Sequence, residues 1–536
     1  MKESSKHTQA GNLILILVAM VLGVLIGLMF ASRPAPHTSQ SAIQSKVGEV
    51  LGLVEEHYVD HIDADTLSER LLSVILSELD PHSTYLSARE TEHNDEMQRG
   101  SFEGVGIVLH VEDDTVYVGQ VLDDGPSAMS GIMPGDKIVS VDGELVSGVG
   151  MSSDSVVARL RGPSGTQVQV DIVGQGDKKQ QFTIRRGRVP RHTIPYFTML
   201  SDTIGYVRLT SFASTSHEEF CAAVAMLKSQ GMRHLVFDLR DNGGGSLTAA
   251  VGIAGELLPT GSLIVYTQGA HSRRHNTYST IGGGFTRGGV TLLVDENSAS
   301  ASEVVAGALQ DNDRATIVGR RTFGKGLVQY EYSLDDGSSV LLTIARYYTP
   351  SGRCIQRSYA DGTEEYYREY FSQLVDEAYA DSMTVAILDS TPYQTVGGRT
   401  VYGGGGIAPD VPMAYRKDTA FVYYNRLSSM GLVNRVAFSY VRRHSQTLLQ
   451  TYPDADAFRR GFHPDETLLR ELVAAGERKG VPCDAQSLQR KRSYFLAMLK
   501  ADIGLCLYGE KGFYDSYILF DDDLQRTLEM LKHKKM

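Results

Sequence analysis

Three serines and a glutamate crowd into Asn297-Ser298-Ala299-Ser300-Ala301-Ser302-Glu303, and further on a lysine lies between two glycines in Phe323-Gly324-Lys325-Gly326. The spacing Ser300-x-x-Glu303 predicts a helix that opens here and runs to about Asp311, capped by Ser300 or a neighbouring serine. A hydroxyl in that position lies beside N–H groups that have no intrahelical partner. The Ala301 amide and the positive end of the helix dipole can then stabilise an oxyanion forming next to an attacking Ser300. Serine is a weak nucleophile until a base takes its proton, and lysine can be that base when desolvation keeps its amine neutral. Lys325 suits that role, since its glycine neighbours allow close backbone approach, and Phe323, Leu327 and Val328 predict partial burial. Gln329, four residues on, carries an amide that can orient the amine without adding a stabilising negative charge. The pattern points to acyl transfer.

These residues need a scaffold. Residues 189–357 alternate strand-like runs (Ile204 to Leu209, His234 to Leu239) with helix-like ones (Glu218 to Gln230), which predicts an α/β layer resumed at 401–412. Residues 41–98 show apolar positions at helical spacing. Residues 99–188 are Gly-rich with short β-branched runs, a small β-rich domain. Residues 358–400 are rich in Tyr, Glu and Asp without a strong period and read as an insertion, and helical spacing dominates 413–536. The fold class is therefore multidomain α/β (α+β), with helical segments at both ends.

Phe102-Glu103-Gly104-Val105-Gly106-Ile107 resembles the carboxylate-binding loop of PDZ domains, and Gly125-Pro126-Ser127 followed by Gly131 to Gly143 is similar to the PDZ turn and strand signature. Such a domain binds a terminal carboxylate on converging backbone N–H groups while the peptide adds as a strand to a sheet edge.

The Ser298 to Glu303 and Phe323 to Gln329 segments resemble the carboxyl-terminal processing peptidases, tail-specific serine proteases of family S41 with a Ser/Lys dyad. Asp238-Leu239-Arg240-Asp241-Asn242-Gly243-Gly244-Gly245, Leu79 to Leu86, Leu160 to Pro163 and Thr349 to Arg353 are similar to further signatures in the expected order. The resemblance implies Ser300 as nucleophile, Lys325 as general base and Gln329 as its support. It implies Ala301 as one oxyanion donor and the glycine turn as the other, with Gly244 chosen over Gly243 and Gly245. Gly243 stands where family members often carry Pro, which leaves that donor open among the three. Phe102, Gly104, Val105, Gly106 and Ile107 would hold the substrate's carboxyl end, and Arg161 would couple the PDZ domain to the core. No metal or organic cofactor is expected, and the partners are proteins or peptides with apolar carboxyl termini.

Composition narrows the setting. With 52 Lys and Arg against 64 Asp and Glu among 536 residues, the net charge of -12 excludes a general nucleic-acid surface. Leu13 to Ala31 is free of charge and follows Lys2 and Lys6, so the sequence predicts an uncleaved anchor within residues 1–32. A cleaved signal peptide is the competing reading, since Ala31-Ser32 offers small residues, but the apolar run is longer than a usual signal-peptide core. A Pro- and Ser-containing linker follows, and the catalytic domains would face the periplasm from the cytoplasmic membrane. Cys221, Cys354, Cys483 and Cys506 show no C-x-x-C pair and read as four thiols, with a Cys483 to Cys506 disulfide as the alternative in an oxidising compartment. The C-terminal helices are a candidate surface for self-association or for an adaptor protein.

Three rival readings are weaker. Gly319 to Lys325 fits G-x-x-x-x-G-K, but Gly326 follows where a P-loop needs Ser or Thr, and Leu327 to Tyr332 alternates like a strand. His82, His192 and His234 are available for a Ser/His/Asp arrangement, yet none sits in a motif that demands it. A non-catalytic membrane-tethered PDZ adaptor would lack Ser300 or Lys325, and both are present.

Overall fold

The computed structural model describes residues 42–280, 282–375, 391–414 and 418–533. The chain divides into two compact units, Met1–Leu72 and Ser73–Met536. In the first, the described residues form the helix Ala42–His57 and most of the helix Ala64–Ser77.

Within the second unit, the β-rich part is an antiparallel sheet in the order Ile107–Glu112, Thr115–Val121, Lys137–Val141, Gln167–Val173, Lys179–Arg185. Alternation along these strands puts Val116, Val118, Ile138, Val170 and Ile172 into one apolar core, which the helix Ser153–Leu160 closes with Val156 and Leu160. Ile107–Glu112 is an edge strand, paired only with Thr115–Val121 among the described residues.

The α/β layer is a six-stranded sheet: Tyr196–Met199, Ile204–Arg208, His234–Asp238, Gly289–Val294, Thr316–Gly319, Val411–Pro412. All pairings are parallel except the first. Strands such as Gly-Val-Thr-Leu-Leu-Val are apolar on both faces, as a parallel sheet covered on both sides requires. Helices Ser216–Ser229, Leu247–Leu257 and Ala301–Asp311 cover one face, packing on Val207, Phe237, Leu292 and Ile317. The far end of the chain covers the other: Tyr514, Ile518, Leu524 and Leu531 meet Tyr206, Val236, Leu293 and Val318. The C-terminal helices therefore complete this sheet while also enclosing their own core around Leu427, Phe438, Leu472, Phe495 and Leu499.

The stretch 358–400, read as an insertion without a strong period, holds a helix Thr363–Val375 and, reaching just past its end, a hairpin Pro392–Gln394 with Thr400–Tyr402. The placement as a single-pass protein of the cytoplasmic membrane facing the periplasm is corrected. Among the described residues no helix is long and apolar enough to cross a membrane. Leu13 to Ala31, on which that expectation rested, lies outside the described residues, as does the linker after it.

Candidate active site

At the carboxyl ends of the parallel strands, where ligands bind in open α/β sheets, three loops meet: 239–246 after His234–Asp238, 295–300 after Gly289–Val294 and 320–326 after Thr316–Gly319. They are bonded to one another through backbone. Ala299 N–H donates to the Asn242 carbonyl (3.0 Å) and Phe323 N–H to the Ser298 carbonyl (3.0 Å). The Ser298 hydroxyl donates to the Leu239 carbonyl (2.8 Å).

Ser300 precedes the helix Ala301–Asp311 with φ 55° and ψ -112°. A non-glycine residue at positive φ costs about 1–3 kcal/mol and persists only where its surroundings enforce it. Those surroundings are visible. Glu303 N–H donates to the Ser300 carbonyl (2.8 Å), and the Glu303 carboxylate accepts Ser300 N–H (2.9 Å). The residue is half-buried between buried Ala299 and Ala301. As the first residue of the helix, Ala301 has an N–H with no intrahelical partner.

Glu303 does more than cap. Its fully buried carboxylate also accepts the Thr322 hydroxyl (2.6 Å), Gly324 N–H (2.8 Å) and Lys325 N–H (2.8 Å). The same oxygen takes both Ser300 N–H and Lys325 N–H, so one carboxylate fastens the serine segment to the lysine segment. Burial raises its pKa to about 7, against the lowering effect of the four donors. From the other side the Tyr347 hydroxyl lies within hydrogen-bonding reach of the Ser300 carbonyl (3.0 Å) and of the Lys325 carbonyl.

Both glycines beside the lysine are needed for fit. A Cβ on Gly324, at φ +96°, would stand 3.0 Å from the backbone at Gly405 and Gly406, and one on Gly326 would stand 2.8 Å from Gln356 N. The Lys325 amine donates to Gln329 Oε1 (2.7 Å), and the Gln329 amide nitrogen donates to the His82 carbonyl. Lys325 makes no ion pair among the described residues, and burial lowers its pKa below the ordinary lysine value, opposed by Asp80 and Glu303. Its amine is not hydrogen-bonded to the Ser300 hydroxyl in this arrangement.

Gly244 lies against Ser300. At φ +102° a Cβ there would meet Ala299 O at 2.8 Å, Ser300 Cβ at 2.9 Å and Ala301 N at 3.0 Å, so only glycine leaves space beside the Ala301 amide. The Gly244 N–H itself donates to the Asn242 side-chain oxygen (2.9 Å).

The other expected residues lie in the β-rich part. Phe102 and Gly104 belong to a strand Ser101–Gly104 paired with Gly187–Pro190. Val105 joins the core, Gly106 turns at φ +75° with its missing Cβ 2.7 Å from Gly125 Cα, and Ile107 opens the edge strand. The N–H groups of Val105 and Gly106 have no hydrogen-bond partner among the described residues. Arg161 bonds both Glu96 oxygens (2.9 and 2.7 Å) and stacks over Phe102 (5.0 Å).

Of the rival histidines, His192 pairs with Asp124 and His234 with Thr291 (2.8 and 2.9 Å). The His82 ring bonds the Tyr366 hydroxyl (3.0 Å), and burial, with Lys325 nearby, pushes its pKa down to about 4. Leu327–Ser333 is a strand, which removes the phosphate-loop reading. Of groups able to hold a metal ion, the described residues offer His217, Cys221 and Glu256, with ligand atoms within 4.8 Å of one another. His217 bonds Glu256 (3.1 Å) and so does the Cys221 thiol.

Several functional-site contacts have no mark in local sequence: Tyr347, the His82 carbonyl, and Tyr370, whose hydroxyl donates to Asn297 (2.7 Å) and whose ring meets Phe323 (4.8 Å). Glu303 was visible, but only as a capping partner.

Residues 203–365 match peptidase family S41, 95–173 match the PDZ domain, and 423–509 match a family of unknown function. The chain is 35% identical over 318 residues to a carboxy-terminal-processing protease of Bartonella bacilliformis, covering 58% of this chain and 72% of that one. It is 30% identical over 322 residues to the carboxy-terminal processing protease CtpA of Bacillus subtilis, covering 58% and 66%. Among solved structures it is similar to a photosystem II D1 C-terminal processing protease: 27% identity, 70% of this chain, 88% of that one, TM-score 0.37.

Proposed function

Because this chain belongs to peptidase family S41, as a carboxyl-terminal processing serine peptidase with a PDZ domain, we propose that it takes a substrate's free carboxyl end on the PDZ domain and cuts with a Ser300/Lys325 dyad. The observation that carries the dyad is the shared Glu303 oxygen, which ties the Ser300 and Lys325 backbones together under a lysine that lacks an ionic partner among the described residues.

In the mechanism, neutral Lys325 accepts the Ser300 proton and Ser300 Oγ attacks the scissile carbonyl. A neutral amine keeps one lone pair; donating to Gln329 Oε1 uses an N–H and leaves that lone pair for the serine. A side-chain rotation brings the amine from Gln329 alone to Gln329 and the hydroxyl together. Ala301 N–H holds the developing oxyanion, and Gly244 N–H joins it when the Asn242 side chain turns away. The Lys325 ammonium then protonates the leaving amine, and a water activated by the same lysine releases the acyl-enzyme.

Recognition uses Ile107–Glu112, whose open edge accepts the peptide as an added strand, with the carboxylate on the Val105 and Gly106 N–H groups. Apolar terminal residues suit the apolar core behind that loop. The test is digestion of one protein bearing an apolar tail and a copy bearing a charged tail, with wild type, Ser300→Ala and Lys325→Ala. Cleavage of the apolar tail by wild type alone is expected. An active Lys325→Ala enzyme refutes the dyad, and equal cleavage of both tails refutes the PDZ role.

A further inference from the structure

Each of two arginines in the catalytic loops divides its charge between a carboxylate of its own neighbourhood and one from the far end of the chain. Arg240, in the turn that leads to Gly244, donates to Asp238 (2.9 and 2.6 Å) and to both oxygens of Asp521 (2.9 and 2.6 Å). Arg240, Asp238 and Asp521 are all buried. Arg320, in the loop leading to Lys325, donates to Glu296, in the loop leading to Ser300 (2.7 Å), and to Asp523 (2.7 Å). Asp521 also accepts Leu524 N–H (3.1 Å), which fixes its carboxylate at the start of the helix Asp522–His533.

This acidic pair is not a loose tail. Just before it, the Asp515 carboxylate accepts the Tyr196 hydroxyl (2.8 Å) at the sheet edge, and the Tyr514 ring stacks on Tyr196 (5.4 Å). The same helical region is held on the PDZ domain at its other end. There the Phe438 ring stacks on His110 of the edge strand (3.9 Å), and Arg435 donates to Glu112 (2.6 Å). Gly135 approaches so closely that a Cβ would stand 2.7 Å from Arg442 Cα. A buried guanidinium bridging two carboxylates transmits position because neither partner can leave without stranding a charge.

We propose that the C-terminal helical region is a strap that positions the catalytic loops, with Asp521 and Asp523 as positioning residues acting through Arg240 and Arg320. Asp521 sets the turn that carries Gly244. Asp523, with Glu296, sets the distance between the serine and lysine loops. This assigns a role to the chain beyond residue 412, part of which matches a family of unknown function, and it rests on the dyad reading above.

The test uses the full chain as wild type, Ser300→Ala, Asp521→Asn and Asp523→Asn, with a short internally quenched peptide. Rates are normalised to sites labelled by a serine-directed fluorophosphonate, so that unfolded protein does not count. Displacing catalytic groups by about 1 Å costs up to about a hundredfold in rate. Asp521→Asn is expected to lower kcat per labelled site by about tenfold to a hundredfold with KM changed less than about twofold, and Asp523→Asn by a smaller factor. Loss through misfolding alone would lower the number of labelled sites and leave kcat per site unchanged. Such a result, or wild-type kcat in both variants, overturns the strap. If Asp521→Asn yields no folded protein, Asp523→Asn decides, because its side chain is partly exposed, hydrogen-bonds Arg320 and lies only at the margin of the buried Arg240 group, 3.8 Å from that guanidinium. Cleavage that persists in Ser300→Ala would instead overturn the dyad, a separate outcome.

Discussion

Replacing Gln329 by glutamate changes little in shape and much in charge. In the native site the Lys325 amine donates to Gln329 Oε1 at 2.7 Å, faces no ion-pair partner among the described residues, and has its pKa lowered by burial. The substituted side chain would set a carboxylate at that same distance. An opposite charge this close moves a pKa toward the charged form by about 1 to 3. The sign follows from the role: catalysis needs the neutral amine, so activity rises as pH rises through the lysine pKa. In wild type that limb lies below the ordinary lysine range. In Gln329→Glu it moves alkaline, and at a pH below both limbs kcat falls between about tenfold and about a thousandfold. The lost donation to the His82 carbonyl adds a loss of about 1–3 kcal/mol that does not depend on pH in this range. The assay is kcat against pH for a short peptide, wild type beside Gln329→Glu. A variant whose limb stays at the wild-type pH, or whose activity is lost equally at every pH, refutes the idea that Lys325 works as a neutral base held by Gln329.

Other perturbations test the remaining parts. Glu303→Gln keeps the size of the side chain but offers one acceptor oxygen where two serve four donors. With two buried donors left unsatisfied, stability should drop by about 2–6 kcal/mol, seen as a lower urea midpoint together with lost peptidase activity. Gly244→Ala places a methyl 2.9 Å from Ser300 Cβ and 3.0 Å from Ala301 N at φ +102°, so kcat should fall by more than about a hundredfold if the Ala301 amide holds the oxyanion; stopped-flow measurement of acylation checks this. Gly106→Ala puts a methyl 2.7 Å from Gly125 Cα. It should raise KM for a protein with a free apolar tail and leave hydrolysis of a short amidated peptide unchanged.

The parts of the site legible in the sequence were those written into short segments. Ser300 with Glu303 marked a helix start, and glycines around Lys325 marked a close approach, because both requirements are local. The α/β layer was legible for the same reason, through its continuous apolar strands. What local pattern could not carry was closure. Glu303 reaches Gly324 and Lys325 only after a helix and a strand have folded between them. Tyr347 and the His82 carbonyl arrive from another sheet and from the chain's early part. The helix Thr363–Val375 escaped notice because the residues it sets against Phe323 and His82 are tyrosines, Tyr366 and Tyr370, set among glutamates, which weakens any apolar period. Helices beyond residue 412 were legible as helices. Their destination, the uncovered face of the parallel sheet, depends on Leu524 and Leu531 meeting Val236 and Val318, a pairing no short window contains.

The most direct measurement of the Ser300/Lys325 claim is the rate at which a fluorophosphonate modifies the protein as pH is varied, with the labelled residue identified by peptide mapping. The account predicts modification at Ser300, accelerating through a pKa below that of an ordinary lysine, and no more than trace labelling in Lys325→Ala. Labelling of Lys325→Ala at the wild-type rate, or at a residue other than Ser300, would contradict it.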